Sequence, residues 1–159
     1  MPDHPTGDTQ EFCAFALNAR PFGVPVRLVK EVHAPTAITP IPGAPPAVRG
    51  YVNLRGHLHL VLDPHECLTG ASRDKTIQGS WIVFRADAGE AFAIQADRVT
   101  GIVSLDHAQI DRPTSDRFAS SHATEFEGRL VSGYAKLDQD LVTLVDPAAL
   151  FEACLPQNG

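Results

Sequence analysis

His57, His59, His65 and Cys67 carry metal-binding side chains at short spacing in the first half of the chain. Four nitrogen and sulfur donors could in principle hold a tetrahedral zinc ion. His57 and His59 can share one face of a strand, but His65 and Cys67 lie two apart on a probable helical turn and do not face each other. The spacing also departs from the Cys/His patterns of zinc sites, so exposed strand histidines are the expected reading, with a metal-binding regulator as the alternative. Asp63 and Asp146 could be proposed as a catalytic carboxylate pair, yet each precedes a proline, the context of a helix N-cap. Ser120-Ser121-His122 has no carboxylate nearby in sequence to orient it. No nucleophile elbow, phosphate-binding loop, dinucleotide glycine pattern or HExxH motif is present. An enzyme reading has no residue set to rest on.

Glu31 and Arg55 are a different kind of candidate, because the chain supplies its own comparison for them. Residues 48–64 (VRGYVNLRGHLHLVLDP) recur 83 residues later as 131–147 (VSGYAKLDQDLVTLVDP), with Val, Gly, Tyr, Leu, Leu, Asp and Pro coinciding without a gap. A weaker echo at an offset of 70 pairs residues 22–26 with 92–96, and 29–32 with 99–102. The chain reads as one β-rich unit written twice. Glu31 is matched by Gly101 and Arg55 by Asp138, so both charges belong to the first copy alone. As a mere surface ion pair they would contribute about 0–1 kcal/mol. As a preorganised polar feature they would suit a partner-binding face, where arginine is enriched.

The elements that must position these residues are mostly strands. Residues 11–17, 22–26 and 28–33 read as strands, the last with a short bend. The segment from 38 to 46 holds four prolines and reads as an extended connector. Residues 51–54 and 57–62 flank Arg55-Gly56, where glycine supplies the positive φ a tight hairpin needs. Leu58, Leu60 and Leu62 share one face of that second strand, with His57, His59 and Val61 on the other. Asp63-Pro64 and Asp146-Pro147 predict short helices over 64–68 and 147–155. Residues 69–79 form a polar linker, and strands follow from Trp81, Phe92 and Val99. The polar stretch 107–129 is long for a loop in a compact domain. Short strands with turn signals every 8–12 residues predict an all-β, small-barrel fold.

At 159 residues with net charge −6, the chain can bury a real core but lacks the basic stripe that nucleic-acid binding needs. Its N-terminus has neither the cationic nor the apolar region of a signal peptide, and no apolar run approaches membrane-span length. Three widely spaced cysteines, Cys13, Cys67 and Cys154, suggest reduced thiols. The expectation is a soluble cytoplasmic protein.

The motifs also resemble a known family. Val29-Lys30-Glu31-Val32, then Ile38-Thr39-Pro40-Ile41-Pro42 with Pro45, then Val48-Arg49-Gly50-Tyr51-Val52-Asn53-Leu54-Arg55-Gly56, ending in Val61-Leu62-Asp63, is similar to the CheW adaptors of bacterial chemosensory systems. In the second half, Phe92-Ala93-Ile94 with Asp97-Arg98-Val99, then 133–138 and 144–146, resemble the family's later strands. The likeness spans about residues 11–152, after a polar tail over 1–10. It departs at Leu60, where the family usually has Pro, and at Pro64, where it usually has Leu.

The resemblance implies one CheW-like domain made of two SH3-like five-stranded β-barrels side by side, with short helices including one at the C-terminus. The barrels would fall approximately at 11–68 and 80–152. It also implies an adaptor with no catalysis, cofactor or metal, bridging the cytoplasmic tips of chemoreceptors to the regulatory domain of a CheA-type histidine kinase. A sibling pathway controlling pili, biofilm or a second messenger is the variant of that role. Carried over by motif, Glu31 and Arg55 match the family's surface acid–arginine pair, Val26 and Val29 its receptor-groove strand, and Gly50, Asn53 and Gly56 the turn that shapes the site. An apolar groove between the barrels would take the receptor's helical hairpin. Recruitment to membrane-associated arrays would come through the receptor, with no insertion of the chain itself.

Overall fold

Strands alternate along the chain with turns that only certain residues permit, and those turns set the architecture. A computed structural model describes residues 9–86, 91–112 and 130–155. Eleven strands are present among them: β1 (Thr9–Leu17), β2 (Arg20–Pro25), β3 (Val29–His33), β4 (Val48–Leu54), β5 (His57–Leu62), β6 (Ser80–Phe84), β7 (Phe92–Ala96), β8 (Arg98–Asp106), β9 (Ile110–Asp111), β10 (Val131–Leu137) and β11 (Asp140–Val145). Two short helices, α1 (His65–Thr69) and α2 (Pro147–Cys154), follow the two Asp-Pro pairs. The Asp146 side chain accepts from the Ala148 backbone N–H and caps α2, while Gly70 closes α1 in the left-handed region.

The barrels expected from the sequence do not form. One sheet has six strands in the order β8-β1-β2-β11-β10-β9, and the other five in the order β3-β6-β7-β5-β4. Neither closes on itself: no backbone ladder joins β8 to β9, or β3 to β4. Nor do the sheets follow the halves of the chain. In the second-copy hairpin β10–β11, β11 runs parallel to first-copy β2, pairing Thr143 with Phe22. In the first-copy hairpin β4–β5, β5 runs parallel to second-copy β7, pairing Leu60 with Phe92. Each copy thus completes the other's sheet. Strand lengths and turn spacing, with the family resemblance, were the basis for expecting two separate barrels, and they do not fix these long-range edges.

The repeat is visible in the registers themselves. Val48 pairs with Leu62 and Gly50 with Val61, with one bulge between; 83 residues on, Val131 pairs with Val145 and Gly133 with Leu144, with the same bulge. The bridge from Thr39 to Tyr51 corresponds to the pairing of Asp111 with Tyr134.

Period-2 alternation gives both faces of most central strands an apolar side, and three clusters result. Ile82, Phe84, Phe92, Ile94 and Leu62 meet Phe15, Phe22 and Val24 from the other sheet, with Leu150 and Cys154 of α2, in a core between the sheets. The alternate residues Trp81, Val83, Ala93, Val61, Val52 and Leu54 pack inside the curl of the five-stranded sheet under Ile38. Phe12, Leu105, Ile110, Ala135, Val142 and Leu144 fill the curl of the six-stranded sheet.

The hairpin turns also repeat, with a telling difference. Arg55 and Gly56 have φ of 55° and 83°, and Asp138 and Gln139 have 56° and 103°. Positive φ at both central residues is the primed turn that matches strand twist. Gln139 holds this conformation without glycine's freedom, at a cost of roughly 1–2 kcal/mol set against glycine's larger chain entropy of about 0.5–1 kcal/mol. Gln139→Gly is therefore expected to raise the free energy of unfolding by about 0.5–1 kcal/mol, read from the urea midpoint at unchanged slope.

Candidate partner-binding site

The candidate site is built at the end of the β4–β5 hairpin and across from it on β3. In the five-stranded sheet β3 and β4 are opposite edges. The curl nevertheless brings them within side-chain reach, and Arg55 Nη1 donates to Glu31 Oε2 at 3.2 Å. A side-chain bridge spans the gap that no ladder closes. The Arg55 side chain is 73% exposed and that of Glu31 18% exposed, so the acid is held and the guanidinium is presented outward. Asn53 Oδ1 accepts from the Gly56 backbone N–H at 2.9 Å, bracing the turn that carries Arg55.

The structure brings Glu31, Asn53, Arg55 and Gly56 together. Gly50 lies further down β4, opposite Val61, and supports the site from below. A Cβ there would meet Thr39 O at 2.2 Å and Ile38 Cγ2 at 2.7 Å, so glycine lets the proline-rich connector lie flat on β4. Val29 opens β3 opposite Phe84 and packs on the core between the sheets. Val26 begins a 3-10 turn (Val26–Leu28) and borders a separate open groove of about 670 Å³. Apart from Val26, that groove is walled by Thr9, Gln10, Glu11, Arg27 and Ser104.

Two features beside the hairpin differ from expectation or were missed. His57 is exposed, as expected of a strand histidine, but His59 is buried at 4% exposure while Leu58 is 63% exposed. The face carrying His59 and Val61 turns into the curl of the sheet, where Val61 packs with Trp81, so His59 goes inward with it. Leu58, opposite Asn53 on the same hairpin, stands exposed, as do Tyr51 on β4 and Val32 on β3. The signal for Leu58 was its partner in register, Asn53, a polar residue expected to face solvent.

The proposed zinc ligands do not gather. Among the described residues no three His, Cys, Asp or Glu side chains are arranged to hold a metal ion. His65 is instead fully buried and gripped by two carboxylates, its Nδ1 2.6 Å from Asp63 Oδ1 and its Nε2 2.8 Å from Asp97 Oδ1. Two carboxylate acceptors require two N–H donors, which makes the ring an imidazolium. Burial disfavours that charge, but the hydrogen bonds and charges of Asp63 and Asp97 outweigh it and raise the His65 pKa. Burial likewise pushes the Asp63 carboxyl up, and the ring and backbone of His65, with Arg73, more than reverse this and hold it below the usual value. Asp97 Oδ2 also accepts from the Asn18 backbone N–H at 2.7 Å. The network joins α1 to the β1–β2 turn and to the β7–β8 junction. It is a structural clamp, distinct from the surface pair.

A CheW-like domain model matches residues 11–154, which covers both sheets, α1, and α2. The chain belongs to the CheW family. It is 27% identical to the chemotaxis protein CheW of Rhizobium meliloti over 93% of this chain and 91% of that one. It is 28% identical to the chemotaxis protein CheW of Thermotoga maritima over 94% of this chain and 92% of that one. The crystal structure of the scaffolding protein TtCheW from Thermoanaerobacter tengcongensis superposes with a TM-score of 0.75, at 23% identity, over 95% of this chain and 94% of that one. That likeness concerns the fold. As a CheW-like protein the chain is a non-catalytic scaffold of chemotaxis signalling. Among the described residues no helix is long and apolar enough to cross a membrane.

Proposed function

We propose that this chain couples the cytoplasmic tips of chemoreceptors to the regulatory domain of a CheA-type histidine kinase, acting as a single unit over about residues 11–152. The observation that carries the site is the Arg55–Glu31 bridge. It is preorganised by the Asn53–Gly56 turn, lies on a hairpin that also exposes Leu58, and is absent from the second copy. Arg55 is the contact residue, Glu31 aims it, and Asn53, Gly56 and Gly50 shape the hairpin, while Val26 and Val29 would act through the neighbouring groove and the strand that carries Glu31. The protein works in the cytoplasm and reaches the membrane through the receptor.

The test is a pull-down of tagged protein from its own cell lysate, wild type beside Arg55→Glu. An exposed pair contributes about 0–1 kcal/mol to folding, so the variant should unfold close to wild type. Recovery of the receptor or the kinase should fall by about tenfold or more, the loss of one interface hot spot. Normal recovery of both partners by Arg55→Glu would place the contact surface elsewhere.

A further inference from the structure

The open end of the β4–β5 hairpin, away from Arg55, faces a cleft of about 370 Å³. Seven residues of β4 at about 3.3 Å each put roughly 20 Å between the two ends. Arg49 from β4, with Arg73 and Lys75 from the linker after α1, line this cleft beside Asp63 and Glu66. In a chain of net charge −6, three cations on one concavity are an unusual concentration.

Each guanidinium is steered by a partner on one side only. Arg49 donates through one terminal nitrogen to Gln95 Oε1, and Gln95 is itself buried and anchored by donating to Gln78 O at 3.1 Å. Arg73 donates through Nε to Asp63 Oδ2 at 3.3 Å, and its side chain is only 13% exposed. The other donors of both arginines have no partner among the described residues, and Lys75 has no acidic partner there. Asp63 and Glu66 offset part of this charge and leave one cation in excess, and Asp63 is also shared with His65. Burial and, after it, the charge of Arg73 lower the Arg49 pKa, against the opposing charge of Asp63. Two guanidiniums and an ammonium held around one space, with donors in reserve, suit an anion with several oxygens.

We propose that this cleft binds a phosphoryl-bearing small molecule, with Arg49, Arg73 and Lys75 as its ligands. The volume exceeds what one tetrahedral ion fills and lies within the range of small-ligand pockets, which favours a diphosphate or an organic phosphate over inorganic phosphate. Occupancy would fasten the linker between the two copies to the start of β4. The site is separate from the Arg55 surface and does not depend on the adaptor reading.

Titration calorimetry of the full chain at constant ionic strength tests it, with pyrophosphate as probe and inorganic phosphate, citrate and chloride as comparison anions. Lys75→Gln, which breaks no hydrogen bond or ion pair among the described residues, should leave the melting temperature in chloride unchanged and weaken pyrophosphate binding about tenfold. Arg49→Lys should weaken it further by removing the planar fork. Saturable one-to-one pyrophosphate binding, tighter than citrate and lost in these variants, is the expected result. No saturable heat, equal binding of citrate and pyrophosphate, or binding indifferent to Lys75→Gln would each overturn the proposal.

Discussion

Asp97→Ala is expected to destabilise the protein by about 3–5 kcal/mol, the cost of leaving a buried ion with half its partners. In the wild type the fully buried His65 ring has carboxylates on both nitrogens, and Asp97 supplies one of them at 2.8 Å. Removing it strands Nε2–H in a dry site and frees the Asn18 N–H that Asp97 also accepts. Urea unfolding followed by Trp81, the single tryptophan and a fully buried one, reads the change directly. His65→Leu in the Asp97→Ala background should recover part of the loss, because it removes the stranded charge. No recovery would mean that Asp97 acts through Asn18 alone.

The same clamp sets a pH dependence. His65 has its pKa raised above 6.5, so its contribution is complete below that unfolded value and is lost as pH rises through the folded one. Asp63 is depressed below 3.8, so its contribution is complete above that value and is lost as pH falls through the folded one. Stability should therefore be greatest between about pH 4 and 6.5 and decline on the alkaline side. His65→Gln should flatten that alkaline decline; an unchanged slope in this variant would assign it to other groups.

Gly50→Ala is the second large effect. The residue has φ of +139°, which side chains rarely adopt, and its Cβ would sit 2.2 Å from a backbone carbonyl oxygen. Backbone strain and forced repacking each cost about 1–3 kcal/mol. The connector around Ile38 and Thr39 must lift, uncovering the core inside the five-stranded sheet. Loss of most folding stability, or an insoluble product, is expected. By contrast Gly56→Ala meets no atom within 4 Å and should lose only the turn's conformational preference, about 1 kcal/mol. Equal effects at the two glycines would contradict the connector's role.

The local pieces of this fold were readable because their causes are local. Alternating apolar residues gave the hairpins, and the Asp146-Pro147 pair marked α2 as capped. The Arg55–Glu31 bridge was readable for another reason: the second copy holds Asp138 and Gly101 in their places, so the chain pointed to its own exception. What could not be read was which strand edges meet. Phe22 pairs with Thr143, and Leu60 with Phe92, through choices made by the packed whole. The barrel expectation failed there, and closure was replaced by one side-chain bridge between β3 and β4. The role of His65 was not legible because its second carboxylate, Asp97, lies 32 residues away and is joined only by folding. His59 departs from the expected exposed histidine because Val61, beside it on the same face, packs inward, while His57 at the turn end of that face stays exposed.

The adaptor role is tested most directly by reconstitution. A chemoreceptor signalling fragment and a CheA-type kinase from the same organism are mixed with and without this protein, and kinase autophosphorylation is followed while the receptor state is changed. The account predicts that receptor control of the kinase appears only when the protein is present and is lost with Arg55→Glu. Receptor control that is equally strong without the protein, or a protein that joins neither partner, would contradict it.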